Sequence, residues 1–392
     1  MCAAVEAAHG GRDAFRATTG LPVSPYFSAY KIVWLLENVP AVKAAADAGT
    51  LAVGTVDAWL AWRLTGGRVF QTDVTNASRT GLLDLATLTW HAPTAAALGI
   101  DVAWLPTVAP SAGDYGVVAA PHPLAGVPIR GVLGDQQAAV VGQRCRPGDA
   151  KATYGTGAFV LAVTEGDAPV PSTAGLLTTV AYQLGADAPA RYALEGAVAV
   201  AGAGVTWLRD GLGIIERPAD AETHARSVPD AGGVVFVPAF AGLLAPHWRP
   251  DARGALLGVT AATTRAHVCR AVLDAIAWQT RDVLAAAAAD GAVISTLRVD
   301  GGAAASDLLM QTQADVARVR VLRPAHGETT SLGAALAAGV GAGLWSAEEA
   351  MGVGVDALGG GDAFEPAADG AAVAAGERQW RKAVERACGW VE

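Results

Sequence analysis

Three apolar runs in this chain end the same way, on a tight turn that pairs glycine with a polar residue. They are Gly131-Val-Leu-Gly-Asp135, the stretch from Ala150 that closes on Tyr154-Gly155-Thr156-Gly157, and Leu297-Arg-Val-Asp300-Gly301-Gly302. Short strand-like runs closed by such turns and alternating with helical patterns predict an α/β fold. In open α/β sheets, ligands sit beyond the carboxyl ends of the strands. Helical periodicity appears over Lys31–Asn38, closed before Pro40, and over Thr55–Leu64, stopped by Gly66-Gly67. Thr263 or Thr264 can cap a longer helix toward Ala289, and Val234–Val237 reads as a strand. Thr330 or Ser331 can cap a last core helix whose Ala and Gly residues allow close packing.

Of the 392 residues, 52% are hydrophobic and 17% charged, enough for a sizeable core and for more than one domain. This excludes a disordered chain and a disulfide-stapled miniprotein. A boundary is expected near Gln143–Asp149, where charge, Pro and Gly cluster. It divides the chain into domains over 1–143 and 150–345, followed by a C-terminal segment over 346–392 that reads as loop from Gly352 to Gly376. The charge-free run Leu332–Trp345 is too short to span a bilayer, and no charged-then-apolar leader opens the sequence. A net charge of −9 argues against gripping nucleic acid through its phosphates. The four cysteines form no CxxC pair, which fits a reducing, cytoplasmic setting.

Each glycine turn has a functional and an ordinary reading. Asp135 is placed to accept a proton from a substrate hydroxyl or to face a metal ion, or simply to cap the following helix. Tyr154-Gly155-Thr156-Gly157 is a phosphate-facing hairpin or an ordinary β-turn. Asp300-Gly301-Gly302 brings backbone close to a ligand or packs a strand against a helix. Together the turns suggest a nucleotide phosphate held between two lobes, although no GxxxxGK[ST] loop or protein-kinase motif set is present.

Longer motifs identify a relationship. Tyr26-Phe-Ser-Ala-Tyr-Lys31-Ile-Val-Trp34-Leu-Leu-Glu-Asn38, and Gly254-Ala-Leu-Leu-Gly258-Val followed by His267-Val-Cys-Arg-Ala271-Val-Leu-Asp274, match two signatures of the FGGY carbohydrate kinases. Gly54-Thr-Val-Asp57-Ala-Trp-Leu, Asn76-Ala-Ser-Arg-Thr80, Gly134-Asp-Gln-Gln137, Phe236-Val-Pro-Ala-Phe240, Ala245-Pro-His-Trp-Arg-Pro-Asp251 and Glu328-Thr-Thr-Ser-Leu-Gly333-Ala point to the glycerol-phosphorylating branch. The chain resembles that family from about Thr18 to Trp345.

The resemblance implies a two-lobed, actin-like (ribonuclease H-like) ATPase fold. It also implies transfer of phosphate from ATP to glycerol, giving sn-glycerol 3-phosphate and ADP, with Mg²⁺. Carried over by motif, Asp135 is the catalytic base and a Mg²⁺ neighbour, Tyr26 and Gln136 contact glycerol, and Phe159 packs against its carbon side. Thr156, Gly202 and Gly302 fall at nucleotide contacts, as do Thr206, where many members carry Gln, and Ser306, where an Asn pair is usual. A dimer or tetramer is implied.

The family's opening Asp-x-Gly-Thr motif, its Arg-Glu pair and a glycerol-gripping Trp find no match here. The resemblance therefore implies an incomplete N-terminal lobe lacking roughly 100 residues, a small domain's worth. Pro121–Pro128 also lacks the Gly-Gly-Thr-Arg pattern of a fructose-bisphosphate regulatory site, so such regulation is not expected. Two competing readings are a kinase of the same family acting on a pentulose, and a catalytically incomplete, nucleotide-binding homologue.

Overall fold

The structure, a computed structural model, describes residues 1–352 and 360–391. Its largest element is a seven-stranded mixed sheet. The strands are β1 (Asp149–Tyr154), β2 (Ala158–Val163), β3 (Leu177–Tyr182), β4 (Arg191–Val198), β5 (Thr296–Asp300), β6 (Arg320–Pro324) and β7 (Gly361–Phe364), in the spatial order β7-β6-β5-β1-β2-β4-β3. β1 runs parallel to β5 and antiparallel to β2, so the hairpin through Gly155-Thr156-Gly157 and the turn after Asp300 emerge at the same end of the sheet.

Strand alternation sorts the residues of β1 onto two faces. Ala150, Ala152 and Tyr154 face a core built with Val272, Ile276 and Val283 of a 25-residue helix, Arg265–Ala289. That helix starts on a reciprocal cap between Thr264 and His267, in keeping with the expectation for Thr264. The opposite face carries Lys151 and Thr153 and is covered by two helices, α1 (Asp135–Gly142) and α2 (Thr329–Gly341). Val140 and Val141 of α1 share a core with Leu161, Val163, Ala193 and Ala337.

α1 and α2 cross at glycine. A Cβ on Gly333 would lie 2.7 Å from the Ala138 carbonyl carbon, and one on Gly142 would lie 2.8 Å from the Thr329 carbonyl carbon. Only hydrogen at both positions allows the backbones to approach this closely.

The first part of the chain has no large sheet among the described residues. Gln71–Asp73 pairs in parallel with Thr107–Ala109, and Leu83–Asp84 pairs with Thr89–Trp90. The helix Ser28–Asn38 helps build a core that includes Leu21, Phe27, Tyr30 and Leu82, while the helix Val56–Leu64 lies against the strand Gln71–Asp73. Asp73 is the knot. Its buried carboxylate accepts from the Thr75 and Asn76 N–H groups at 3.0 and 2.8 Å and from Ser111 Oγ at 2.7 Å. Thr75 Oγ1 in turn accepts the Gly134 N–H at 2.9 Å, tying this polar loop to the turn before Asp135.

Several expectations need correction. Gly131–Gly134 is extended but forms only a single bridge, Gly131 to Ala112, because its backbone lies against α2 at Ala338 rather than in the sheet. α2 begins at Thr329 with Glu328 at the N-cap and no side-chain cap, so Thr330 and Ser331 lie inside its first turn, and Thr329 Oγ1 donates to the Asp300 carboxylate. Of the loop read over 352–376, residues 353–359 lie outside the described residues. The rest holds edge strand β7 and the start of a helix, Gly370–Ala387, capped by Asp369. β7 owes its order to pairing with β6, a long-range contact that local composition does not carry.

Candidate active site

Asp135 is the first residue of α1, and the N-cap is Gly134. Its carboxylate is exposed, with Oδ1 accepting the neighbouring Gln136 N–H at 2.8 Å. The capping role is thus not filled by Asp135, and lone pairs remain open to a substrate. The Gln136 amide nitrogen sits 3.4 Å from Asp135 Oδ2, while its Oε1 accepts from the ammonium of Lys151. Lys151 also donates to Thr153 Oγ1 at 2.7 Å. The side chain of Lys151 is fully buried, and burial pulls its ammonium down to about 8. The β1–β2 register sets Phe159 opposite Thr153, on the Lys151 face.

Tyr26 enters from the first part of the chain. Partial burial pushes its phenol up, opposed by the charge and hydrogen bond of Arg79, and the Asp135 carboxylate lies close enough to add to the rise. Arg79 grips Glu195 of β4 with two contacts, at 2.8 and 2.9 Å, and Glu195 is only 3% exposed. The Arg79 guanidinium also lies 5.7 Å from the centre of the Phe27 ring. Tyr26, Asp135 and Gln136 therefore belong to one charged cluster, with Phe159 on the adjoining sheet face.

The nucleotide candidates gather elsewhere. Thr156, Gly202, Thr206, Gly302 and Ser306 all line one cavity of about 540 Å³. The hairpin is stitched to the helix Gly202–Thr206 by the Gly202 N–H on the Gly155 carbonyl (2.9 Å) and the Ala203 N–H on the Thr156 carbonyl (3.0 Å). A Cβ at Gly202 would come within 2.6 Å of the Gly155 oxygen, and one at Gly301 within 2.6 Å of the Tyr154 oxygen, so both turns need glycine. Tyr154 is pinned from behind by its phenol, which donates to Gln313 Oε1 at 2.9 Å. Ser306 instead spends its hydroxyl on the Leu309 N–H as a helix N-cap.

Asp135 does not line this cavity. The two sites are joined by β1: from Lys151, behind Gln136, to Tyr154 at the cavity is three residues, about 10 Å of strand.

Three participants escaped the reading of residues. Arg79 was visible only as part of a motif. Glu195 sits between Leu194 and Gly196 inside β4, and Lys151 is a lone charge between alanines. A single charged residue inside an apolar strand run was the available signal.

Comparison with known proteins identifies the family. Residues 1–142 match the N-terminal domain, and residues 150–342 the C-terminal domain, of the FGGY family of carbohydrate kinases. The chain belongs to that family. FGGY members similar to it include the glycerol kinase of Rhizorhabdus wittichii, 50% identical over 390 residues, covering 98% of this chain and 75% of the relative. The glycerol kinase of Chloroflexus aggregans is 51% identical over 393 residues, covering 98% and 77%. The crystal structure of Plasmodium falciparum glycerol kinase with ADP superposes with a TM-score of 0.89 at 37% identity, covering 96% of this chain and 75% of that one. The chain thus has the two-domain α/β fold of the sugar kinases and is a phosphotransferase of the FGGY type. Among the described residues, no helix is long and apolar enough to cross a membrane.

Proposed function

We propose that this protein transfers the γ-phosphoryl group of ATP to glycerol, yielding sn-glycerol 3-phosphate and ADP. The observation that carries the reading is the exposed Asp135 carboxylate beside Gln136 and Tyr26, together with the five nucleotide candidates lining a single cavity past the C-terminal end of β1. The relatives' own names, at about 50% identity, favour glycerol over a pentulose.

Glycerol offers hydroxyl groups on a short carbon chain. Gln136 and Tyr26 supply polar partners, and Phe159 an apolar wall for the carbons. Asp135 accepts the proton of the attacking hydroxyl as its oxygen bonds to the γ-phosphorus and the bond to ADP breaks. The backbone of Gly155-Thr156 and Gly202 faces the phosphates, and the apolar lining around Val205 and Leu273 suits the nucleoside.

Mg²⁺ would spread the charge of the phosphoryl group in flight. Among the described residues no three His, Cys, Asp or Glu side chains cluster as a metal cage. One open carboxylate, Asp135, still fits an ion that takes one or two carboxylates together with phosphate oxygens and water.

The test is a coupled assay of ADP release with glycerol, xylulose and ribulose, run on the wild type and Asp135→Asn. Glycerol is expected to be the preferred substrate. The variant should lose about 10²–10⁴-fold in kcat while binding ADP as tightly by calorimetry. A better pentulose substrate, or a fully active Asp135→Asn, would overturn the reading.

A further inference from the structure

Lys151 is a fully buried cation on an interior strand, and no ion pair among the described residues includes it. Its two hydrogen-bond partners, Gln136 Oε1 and Thr153 Oγ1, are neutral. Burying an ammonium on neutral partners is costly, and an apolar chain of similar length would fill the space more cheaply. Nearby Asp300 and Glu195 offset only part of that cost, and the groups the ammonium hydrogen-bonds show what the charge is used for.

What it touches is the amide of the residue next to the proposed base. A glutamine amide has two near-equivalent orientations about its last torsion. With Oε1 held inward by the ammonium, Nε2 is turned outward, toward Asp135 Oδ2 at 3.4 Å. The flipped amide would set its oxygen against the carboxylate and present no donor to a hydroxyl-bearing substrate.

We propose that Lys151 is a positioning residue for the polyol site, acting through Gln136 to fix that amide with its donor facing the substrate. The inference rests on the glycerol reading above. It makes Lys151 a determinant of how tightly a hydroxyl-rich substrate is held, although the lysine touches neither substrate nor nucleotide.

A double-mutant cycle tests it, with Lys151→Met, Gln136→Ala and the pair, each titrated with glycerol and with ADP by calorimetry and assayed for KM and kcat. Methionine keeps the length of the stem and removes the charge, so the fold is expected to hold, and unchanged ADP affinity verifies that it does. Lys151→Met should weaken glycerol binding on the order of tenfold, the scale of one charge-assisted hydrogen bond. That loss should appear in KM for glycerol and leave KM for ATP alone. In the Gln136→Ala background the lysine change should have no further effect. Two results would overturn the inference alone: wild-type glycerol affinity in Lys151→Met, or losses that add in the double variant. A wild-type protein that binds ADP but no glycerol would overturn the glycerol reading and this inference together.

Discussion

Gly333→Ala is the sharpest probe of how the fold positions Asp135. On an ordinary helix this change is favourable by about 1 kcal/mol, because alanine gives up less backbone freedom. Here the new methyl would lie 2.7 Å from the Ala138 carbonyl carbon and 2.8 Å from the Gly142 nitrogen. The Ala138 carbonyl oxygen lies closer still, and carbon atoms in contact need about 3.5–4.0 Å, so α1 and α2 must part by more than about 1 Å. The atoms met are backbone on both sides, and no side chain can swing away. Overpacking of this kind costs about 1–3 kcal/mol, with rigid backbone favouring the upper end. The net expectation is a loss of about 2 kcal/mol once the propensity gain is subtracted. Ala138 is one turn from Asp135, so the same displacement misplaces the proposed base. A shift of that size can lower turnover by about a hundredfold. Urea denaturation followed by tryptophan fluorescence, together with the coupled assay, reads both effects. Gly327→Ala is the control, since a Cβ there meets nothing within 4 Å. A Gly333→Ala protein with the urea midpoint and turnover of the wild type would refute the reasoning.

Two further predictions concern buried charge. Arg79→Met leaves Glu195, 3% exposed, without its partner, and should destabilise by about 3–5 kcal/mol at neutral pH; adding Glu195→Gln should recover much of the loss, and a single variant within 1 kcal/mol of wild type in urea melts would contradict the assignment. Lys151 is surrounded by Asp300 and Arg298 of β5, Glu195 of β4, Cys145 after α1, and Asp135, and burial outweighs their combined effect, lowering it from 10.5 to about 8. Between those two values the unfolded chain holds a proton that the folded chain has released. The contribution of Lys151 to stability is therefore present at high pH and is lost as pH falls through about 8, by ~3 kcal/mol in all. Lys151→Met should accordingly be more stable than wild type at pH 7, with the advantage shrinking toward pH 10, and a pH-independent difference in urea midpoint would count against a buried ammonium.

Much of the site was legible in the residues. The glycine turns at 155–157 and 301–302 and the polar residue at 135 are local signals, because positive φ, close backbone approach and strand ends each demand particular residue types. The motifs around Tyr26, Asp135 and Thr156 carried the family, and the long helix with its Thr264 cap followed from periodicity. By spacing alone, Asp135 nevertheless read more readily as a helix cap. Only the structure, where Gly134 takes the N-cap and the carboxylate stays exposed, separates the two.

Other features lie beyond local reading. Alternation puts Lys151 on one face of β1, but that face is buried because α1 and α2 cover it, and these helices are separated in the sequence by six of the seven sheet strands. Arg79 and Glu195 are 116 residues apart, so neither residue's neighbours reveal the pair. Strand β7 takes its order from β6 across a segment of low complexity. By itself the sequence determined the fold class and the glycine turns and marked Asp135 as a candidate, because these depend on backbone conformation and on neighbours within a few residues. The tertiary structure decided which charges are desolvated and which way the Gln136 amide is held, because both depend on what distant segments bring together and exclude from water.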